Sequence, residues 1–327
     1  MKMSLHISNW RNLLIMAVLI CFSGCRYPFD LNDSDMESLV AVQSYICADS
    51  TVSIHIYKTV PLTQIGKADT TLINPCYSLK CNGKEVEVRD SMIGEGGMAL
   101  IAKSFKSGDK VELAFETEDM KTAAASTTIP DKFPEYSLKL TGNSSTSTRT
   151  LQISYKDNPE TEDWYGAIVK WQGNIITQYG ENEYSSYYAT DRSTFPPSSY
   201  DDFQIEPEAY SPLVIGGFYL GYSNSVYLYF WKDSDEEDNI YDLLYNYRME
   251  NDYTAEVIED MEIQCTLFKL SEEMYRYMFA QFDRYNNPFK SAGLSSPAFT
   301  YSNVEKGLGC FCGYSEVKSE WIKDNLD

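Results

Sequence analysis

His55 and the acidic side chains are the first places to look for chemistry in this chain. Only two of its 327 residues are histidine, His6 and His55, and an imidazole is the commonest general base near neutral pH. His55 stands in Thr51-Val52-Ser53-Ile54-His55-Ile56-Tyr57, on the polar side of a period-two pattern with Ser53 and Tyr57. It reads as a surface histidine. No Gly-x-Ser-x-Gly elbow or phosphate-cradling glycine loop accompanies it. Carboxylates are plentiful, 48 Asp and Glu in all. Two of them at a suitable separation suffice for glycoside hydrolysis, so a surface hydrolase stays open as an alternative, although abundance singles out no pair. The run Asp233-Ser234-Asp235-Glu236-Glu237-Asp238 offers oxygens to Ca²⁺ but lacks the Gly and later Glu of an EF-hand loop. It reads as an acidic loop, and neither a metal site nor a cofactor is expected. Tyrosine is the richer signal, with 26 residues, many crowded between Tyr179 and Tyr229. Tyr227, Tyr229 and Trp231 fall on one side of a single expected strand. They could form a platform for a sugar ring or a peptide. The competing reading is that Tyr favours strands and tolerates half-burial.

The N-terminus carries a different kind of chemistry. Lys2 and Arg11 precede ten apolar residues, Leu13 to Phe22, and then Ser23-Gly24-Cys25. About twenty apolar residues are needed to span a bilayer, so this stretch has the length of a secretory leader core. Small residues directly before a cysteine resemble the lipobox of bacterial lipoproteins. There the thiol is diacylated, and cleavage between the positions of Gly24 and Cys25 leaves the cysteine first. Cys21 does not compete, because Ile20 precedes it where a small residue is required. Several acyl chains, at about 0.8 kcal/mol per buried methylene, hold a protein durably on a lipid membrane. Asp30, Asp33, Asp35 and Glu37 follow in a polar spacer. That spacer is either a surface-export signal or a plain solvated tether.

Charge and cysteine usage narrow the partners. The formal charge is −21, and loss of Lys2 and Arg11 with the leader lowers it to −23. No basic face of the size that phosphate neutralisation demands is available, which excludes nucleic acid. Beyond Cys25 lie Cys47, Cys76, Cys81, Cys265, Cys310 and Cys312. An oxidising compartment permits disulfides among them. Cys310 and Cys312 would share one face of a strand, however, and Cys76 and Cys81 would point to opposite faces, so neither local pair is placed to bridge. The spacings also lack paired zinc knuckles. Mostly buried free thiols are expected.

Short alternating segments would position these groups. Leu39 to Cys47, Thr51 to Tyr57, Cys76 to Cys81, Lys84 to Val88, Met98 to Phe105, Lys110 to Glu116 and Ala123 to Ile129 read as strands. Asn82-Gly83 is a tight-hairpin signal between two of them. Strands at this spacing predict an immunoglobulin-like β-sandwich over residues 36–132, closed by Pro130 to Pro134. Further on, Leu151 to Tyr155, Ala167 to Trp171, Ile175 to Gln178, Val226 to Trp231 and a strand within Val257 to Leu270 are expected, with long loops over residues 179–212. One helix is expected over residues 271–287. Ser271 caps it, Glu272 and Glu273 sit at its positive end, and Asn286-Asn287-Pro288 stops it. Met274, Met278, Phe282 and Tyr285 make its core stripe. The expected organisation is a leader over 1–24, a tether over 25–35, the sandwich over 36–132, and a larger β-rich domain with a C-terminal helix over 133–327. The fold class is mainly β.

Several segments together resemble the family of lipoproteins grouped as domain of unknown function 4249. They are the lipobox cysteine, Thr128-Ile129-Pro130, the Asp157…Asp163-Trp164-Tyr165 loop, Leu270 to Tyr275, Asn287-Pro288-Phe289, Ser302-Asn303-Val304 and Gly307-Leu308-Gly309. An acidic run at Asp233 to Asn239 departs from the Gly-containing turn expected there. The resemblance implies an outer-membrane lipoprotein of Bacteroidota, often encoded beside a TonB-dependent receptor, with no agreed catalytic residues. On the residues alone, Ser302-Asn303 reads as a side-chain-capped turn, and Gly307 and Gly309 as sites of close backbone approach. The expected function is therefore a lipid-anchored, non-enzymatic accessory or ligand-binding component of a TonB-dependent nutrient-uptake system. Its partners would be the membrane through acylated Cys25, a receptor, and a glycan or peptide. A carboxylate hydrolase and an adhesin or assembly component are the alternatives.

Overall fold

The computed structural model describes residues 37–61, 64, 66, 68–142, 148–179, 182–190, 210–215, 226–233, 238–246, 255–286 and 301–323. Gly24, Cys25 and the expected leader and tether lie outside them. Among the described residues no helix is long and apolar enough to cross a membrane.

Alternation in the sequence becomes alternation in burial. In β1 (Val40–Cys47) and β2 (Val52–Lys58), Val40, Val42, Ile46, Val52, Ile54 and Ile56 are all buried. Together with β5 (Val88–Ile93) and β6 (Gly97–Ala102) they form the antiparallel row β1-β2-β6-β5. A second sheet faces them, built from β3 (Cys76–Cys81), β4 (Lys84–Glu85), β7 (Lys110–Thr117) and β8 (Met120–Thr128). It contributes Leu79, Val111, Leu113, Phe115 and Ala123 to the shared core. This is sheet-on-sheet packing with inward residues at every second position. Cys81 pairs with Lys84 across a two-residue turn in which Asn82 and Gly83 both have positive φ (50° and 77°). That is the backbone the Asn-Gly signal predicts.

The segment expected as one strand from Lys84 to Val88 is divided. β4 ends at Glu85 in the small sheet, and β5 starts at Val88 in the large one.

Hydrogen bonding does not stop at residue 132. β17 (Val304–Glu305) joins the small sheet beside β8, and β18 (Gly307–Lys318) lies parallel to β1 with Val40 opposite Gly307 and Cys47 opposite Tyr314. The end of the chain thus completes the N-terminal sandwich, and Val304 and Phe311 enter its core. Through β18 the large sheet continues into β16 (Ala255–Leu270), β11 (Trp164–Tyr179), β14 (Val226–Lys232) and β13 (Tyr210–Ile215). β12 (Asn182–Thr190) and β19 (Ile322–Lys323) attach to β11 and β16.

The loops expected over residues 179–212 contain β12 and the start of β13. Tyr179 stands opposite Asn182, so β11 turns straight back into β12. The Tyr, Ser and Thr of this stretch suit a strand, but without apolar alternation they carry no periodic signal.

A third sheet, β9 (Tyr136–Gly142), β10 (Thr148–Lys156) and β15 (Asp238–Asn246), covers one face of β11, β14 and β16. The opposite face packs against helix α1 (Glu272–Asn286) through Met274 and Met278. Ser271 caps α1 as expected: its Oγ accepts the Met274 N–H at 3.3 Å and also the Gly313 N–H at 3.3 Å. Glu273 accepts the Thr127 hydroxyl at 3.1 Å, which ties the helix to β8. The side chains of Phe282 and Tyr285, and Asn287-Pro288-Phe289, lie outside the described residues.

The six cysteines are free thiols. Cys265, Cys310 and Cys312 are buried, Cys47 and Cys81 half-buried, and Cys76 exposed. Burial pushes the Cys265 and Cys312 thiols well up from the ordinary thiol range, which makes them poor nucleophiles.

Candidate functional site

Three strand ends meet at one place. Asp157 follows the last residue of β10, Asp163 precedes the first of β11, and Asp233 follows the last of β14. β11 and β14 are antiparallel with Trp164 opposite Lys232. Asp163 and Asp233 are therefore neighbours, and the Asp233 N–H donates to the Asp163 carbonyl at 3.0 Å. The turn between β10 and β11 brings Asp157 to them. Asn158 organises it: its Oδ1 accepts the Glu160 N–H at 3.1 Å and its carbonyl accepts the Thr161 N–H at 3.1 Å. Such Asx geometry is the local preference of an Asn-Pro turn. One carboxylate oxygen from each of Asp157, Asp163 and Asp233 lies within 4.8 Å of the other two, and all three residues are half-buried.

The surroundings are charged and partly unsatisfied. Tyr165 stands opposite Lys269 in the β11–β16 pair, and the Lys269 Nζ bonds Asp163 Oδ2 at 2.8 Å, with side chains only 15% and 16% exposed. Lys232 is turned to Glu162. Burial first, and then the negative charges of Asp157 and Asp163, hold the Asp233 carboxyl up at about 6. Tyr165 has no exposed surface. Its pKa is pushed far up by burial and then by Asp157, which it faces. Its hydroxyl is paired with the Asp157 side chain, and neither that hydroxyl nor the buried Oδ2 of Asp157 has a further partner.

The structure disperses the other sequence candidates. Trp231 is fully buried between the third sheet and β11, and its indole N–H donates to the Tyr155 hydroxyl at 3.0 Å. It is a core residue and offers no exposed face. The side chains of Tyr227 and Tyr229 lie outside the described residues. His55 does touch Ser53, Oγ to Nε2 at 2.9 Å, and burial lowers its pKa. Both residues lie in β2, which is flanked by β1 and β6. The backbone N–H groups of such an interior strand are taken by its ladders and leave no donors for an oxyanion. Of the acidic run, Asp233 joins the three-carboxylate cluster and Asp238 opens β15, whereas residues 234–237 lie outside the described residues.

The C-terminal motifs are scaffold. Ser302 Oγ accepts the Val304 N–H at 3.2 Å. Asn303 clamps Phe311 by accepting its N–H at 2.9 Å and donating to its carbonyl at 2.6 Å.

Fold and site together define a mainly β protein of packed sheets with one described helix, carrying an acidic cluster at converging strand ends. The model of the family described as Domain of unknown function (DUF4249) matches residues 26–320, and the chain belongs to that family. No curated protein matches it. Among solved structures, "Anomalous substructure of Titin-A168169" is similar at 10% identity, covering 71% of this chain and 91% of that one, with a TM-score of 0.21. A score that low carries no argument about fold or function.

Proposed function

We propose that the chain is a lipid-anchored protein of the cell envelope, held in the outer membrane through acyl groups on Cys25. It works there without catalysis as an accessory or ligand-binding component of a TonB-dependent nutrient-uptake system. The observation that carries this reading is Cys25 itself, placed directly after Ser23-Gly24 and a ten-residue apolar core. Family membership from residue 26 onward supports it, because the matched region begins immediately after that cysteine. A packed β scaffold on an acidic tether suits docking on a receptor or presenting loops to a glycan or peptide. Affinity purification of the acylated protein from detergent-solubilised membranes is expected to recover a β-barrel receptor in near-stoichiometric amount. Recovery of the lipoprotein alone contradicts the receptor role. Turnover in a glycan screen, abolished by one Asp substitution without unfolding, would replace the reading with a carboxylate hydrolase.

A further inference from the structure

Short length, proline and charge are the usual devices that keep a sheet edge from taking a further strand. Among the described residues, the edge strands β4, β17 and β19 are each two residues long. β13 holds Pro212, and β5 holds Arg89 and Asp90. β15 holds Asp238 and Asp242, and β9 holds Lys139 at its centre. β12 is the exception. Its one charge, Glu183, is its second residue, and Tyr184-Ser185-Ser186-Tyr187-Tyr188-Ala189-Thr190 follows with neither charge nor proline. Residues of these types favour a strand. β12 pairs with β11 on one side and, among the described residues, with nothing on the other.

The register fixes which backbone groups that open side presents. Tyr179 stands opposite Asn182 with two residues between them. A hairpin's closing pair of this kind exchanges its hydrogen bonds, and bonded and unbonded pairs then alternate. Asn182, Tyr184, Ser186 and Tyr188 therefore bond β11, whereas the N–H and C=O groups of Glu183, Ser185, Tyr187 and Ala189 face outward. Charge selects what they take. Residues 174–190 and 255–260, where β11 lies between β12 and the start of β16, contain Glu181, Glu183, Glu256, Glu259 and Asp260 but no Lys or Arg. A second copy of the chain would set these acids against the same acids. We propose that β12 takes an extended, Lys- or Arg-bearing segment of a partner protein as an added strand. Main-chain bonds supply the affinity, and the acids of this ribbon supply the selectivity. β11 runs in the same sense as β18 and β1, so its Tyr179 end points away from the end at which the chain enters β1. The inference rests on the docking role proposed above and names the edge that performs it.

The test uses the full chain purified in detergent and a fluorescent decapeptide of alternating Lys and Val, so it requires neither membrane nor receptor. Anisotropy is expected to show saturable binding, and the Ser185 and Tyr187 amides should exchange hydrogen more slowly when the peptide is present. N-methylation of every second peptide residue removes main-chain donors and should weaken binding at least tenfold. A Glu-Val decapeptide should also bind at least tenfold more weakly. Ser185→Pro removes one outward N–H and spares the β11 ladder. It should weaken binding at least tenfold while circular dichroism stays as in the wild type. Glu183→Gln combined with Glu256→Gln should weaken binding and lower its sensitivity to salt. The proposal is overturned by absence of Lys-Val binding to the wild-type chain, by equal binding of the N-methylated peptide, or by slow exchange of the Ser185 and Tyr187 amides in the free chain. A free chain that is dimeric and is made monomeric by Ser185→Pro overturns it too, since a second copy would then occupy the edge. Intact peptide binding by a chain that recovers no receptor would count against the transport role alone.

Discussion

Gly309→Ala is expected to destabilise the protein by about 4 kcal/mol, with a matching fall in the urea midpoint. Gly309 sits in β18 opposite Val42 of β1 with φ of +113°, a conformation that side chains rarely adopt. A Cβ there would lie 1.9 Å from the Val42 carbonyl oxygen and 2.9 Å from its carbon. Both are backbone atoms in a parallel ladder and cannot rotate aside. Backbone strain of ~1–3 kcal/mol and overpacking of a similar ~1–3 kcal/mol add at one position. Relief requires β1 to lift from β18, the pairing by which the chain's end completes the N-terminal sandwich. Leu308, one residue earlier and 45% exposed, is the control. Leu308→Ala should shift stability by only about 0.5 kcal/mol. Equal midpoints for Gly309→Ala and the wild type would mean that β1 is not seated there.

Trp231→Ala should cost about 3–5 kcal/mol, the usual range for emptying a buried aromatic site. The ring fills a core shared with Tyr155, Tyr165, Ile153 and Leu267, and its centroid lies 6.3 Å from that of Tyr165. Trp231→Phe keeps most of the apolar volume but loses the hydrogen bond to Tyr155. Beyond the modest volume change, that lost bond should account for about 1 kcal/mol. The two variants measured by urea unfolding separate packing from hydrogen bonding. Unchanged stability in Trp231→Ala, with a lost ligand interaction, would instead restore Trp231 to a binding platform.

Trp231 also illustrates what a sequence can and cannot convey. Its strand was legible, because Val226 to Trp231 is aromatic or apolar at every position. Which faces would be covered was not. A third sheet takes the side of Trp231, and helix α1 takes the side of Leu228 and Phe230, so a possible platform becomes interior. The local devices were readable because each is satisfied by near neighbours: the Asn82-Gly83 turn, the Ser271 cap and the Ser302-Asn303 turn. β5 was hidden for the opposite reason. Arg89, Asp90, Ser91 and Met92 are all exposed at the sheet edge, so no apolar alternation marks them. Polar edges of this kind guard against further strand pairing.

The acidic site was half legible. Asp157 and Asp163 marked the limits of a turn, and Asp233 began a conspicuous acidic run. Their convergence depends on Trp164 pairing with Lys232 across 68 positions, and on the turn after β10 folding back on that pair. A search for ligands at local EF-hand spacing looks along the chain, whereas these three carboxylates gather across strands. A carboxylate immediately beyond each of several strand ends is the signal that could have raised the possibility.

Acylation at position 25 is best tested by intact mass spectrometry of the protein extracted from membranes. The mass should correspond to a chain starting at Cys25 and carrying fatty-acyl groups, and Cys25→Ala should abolish that mass and release the protein from the membrane fraction. A wild-type chain that retains residues 1–24, or begins at Cys25 without acyl groups, would contradict it.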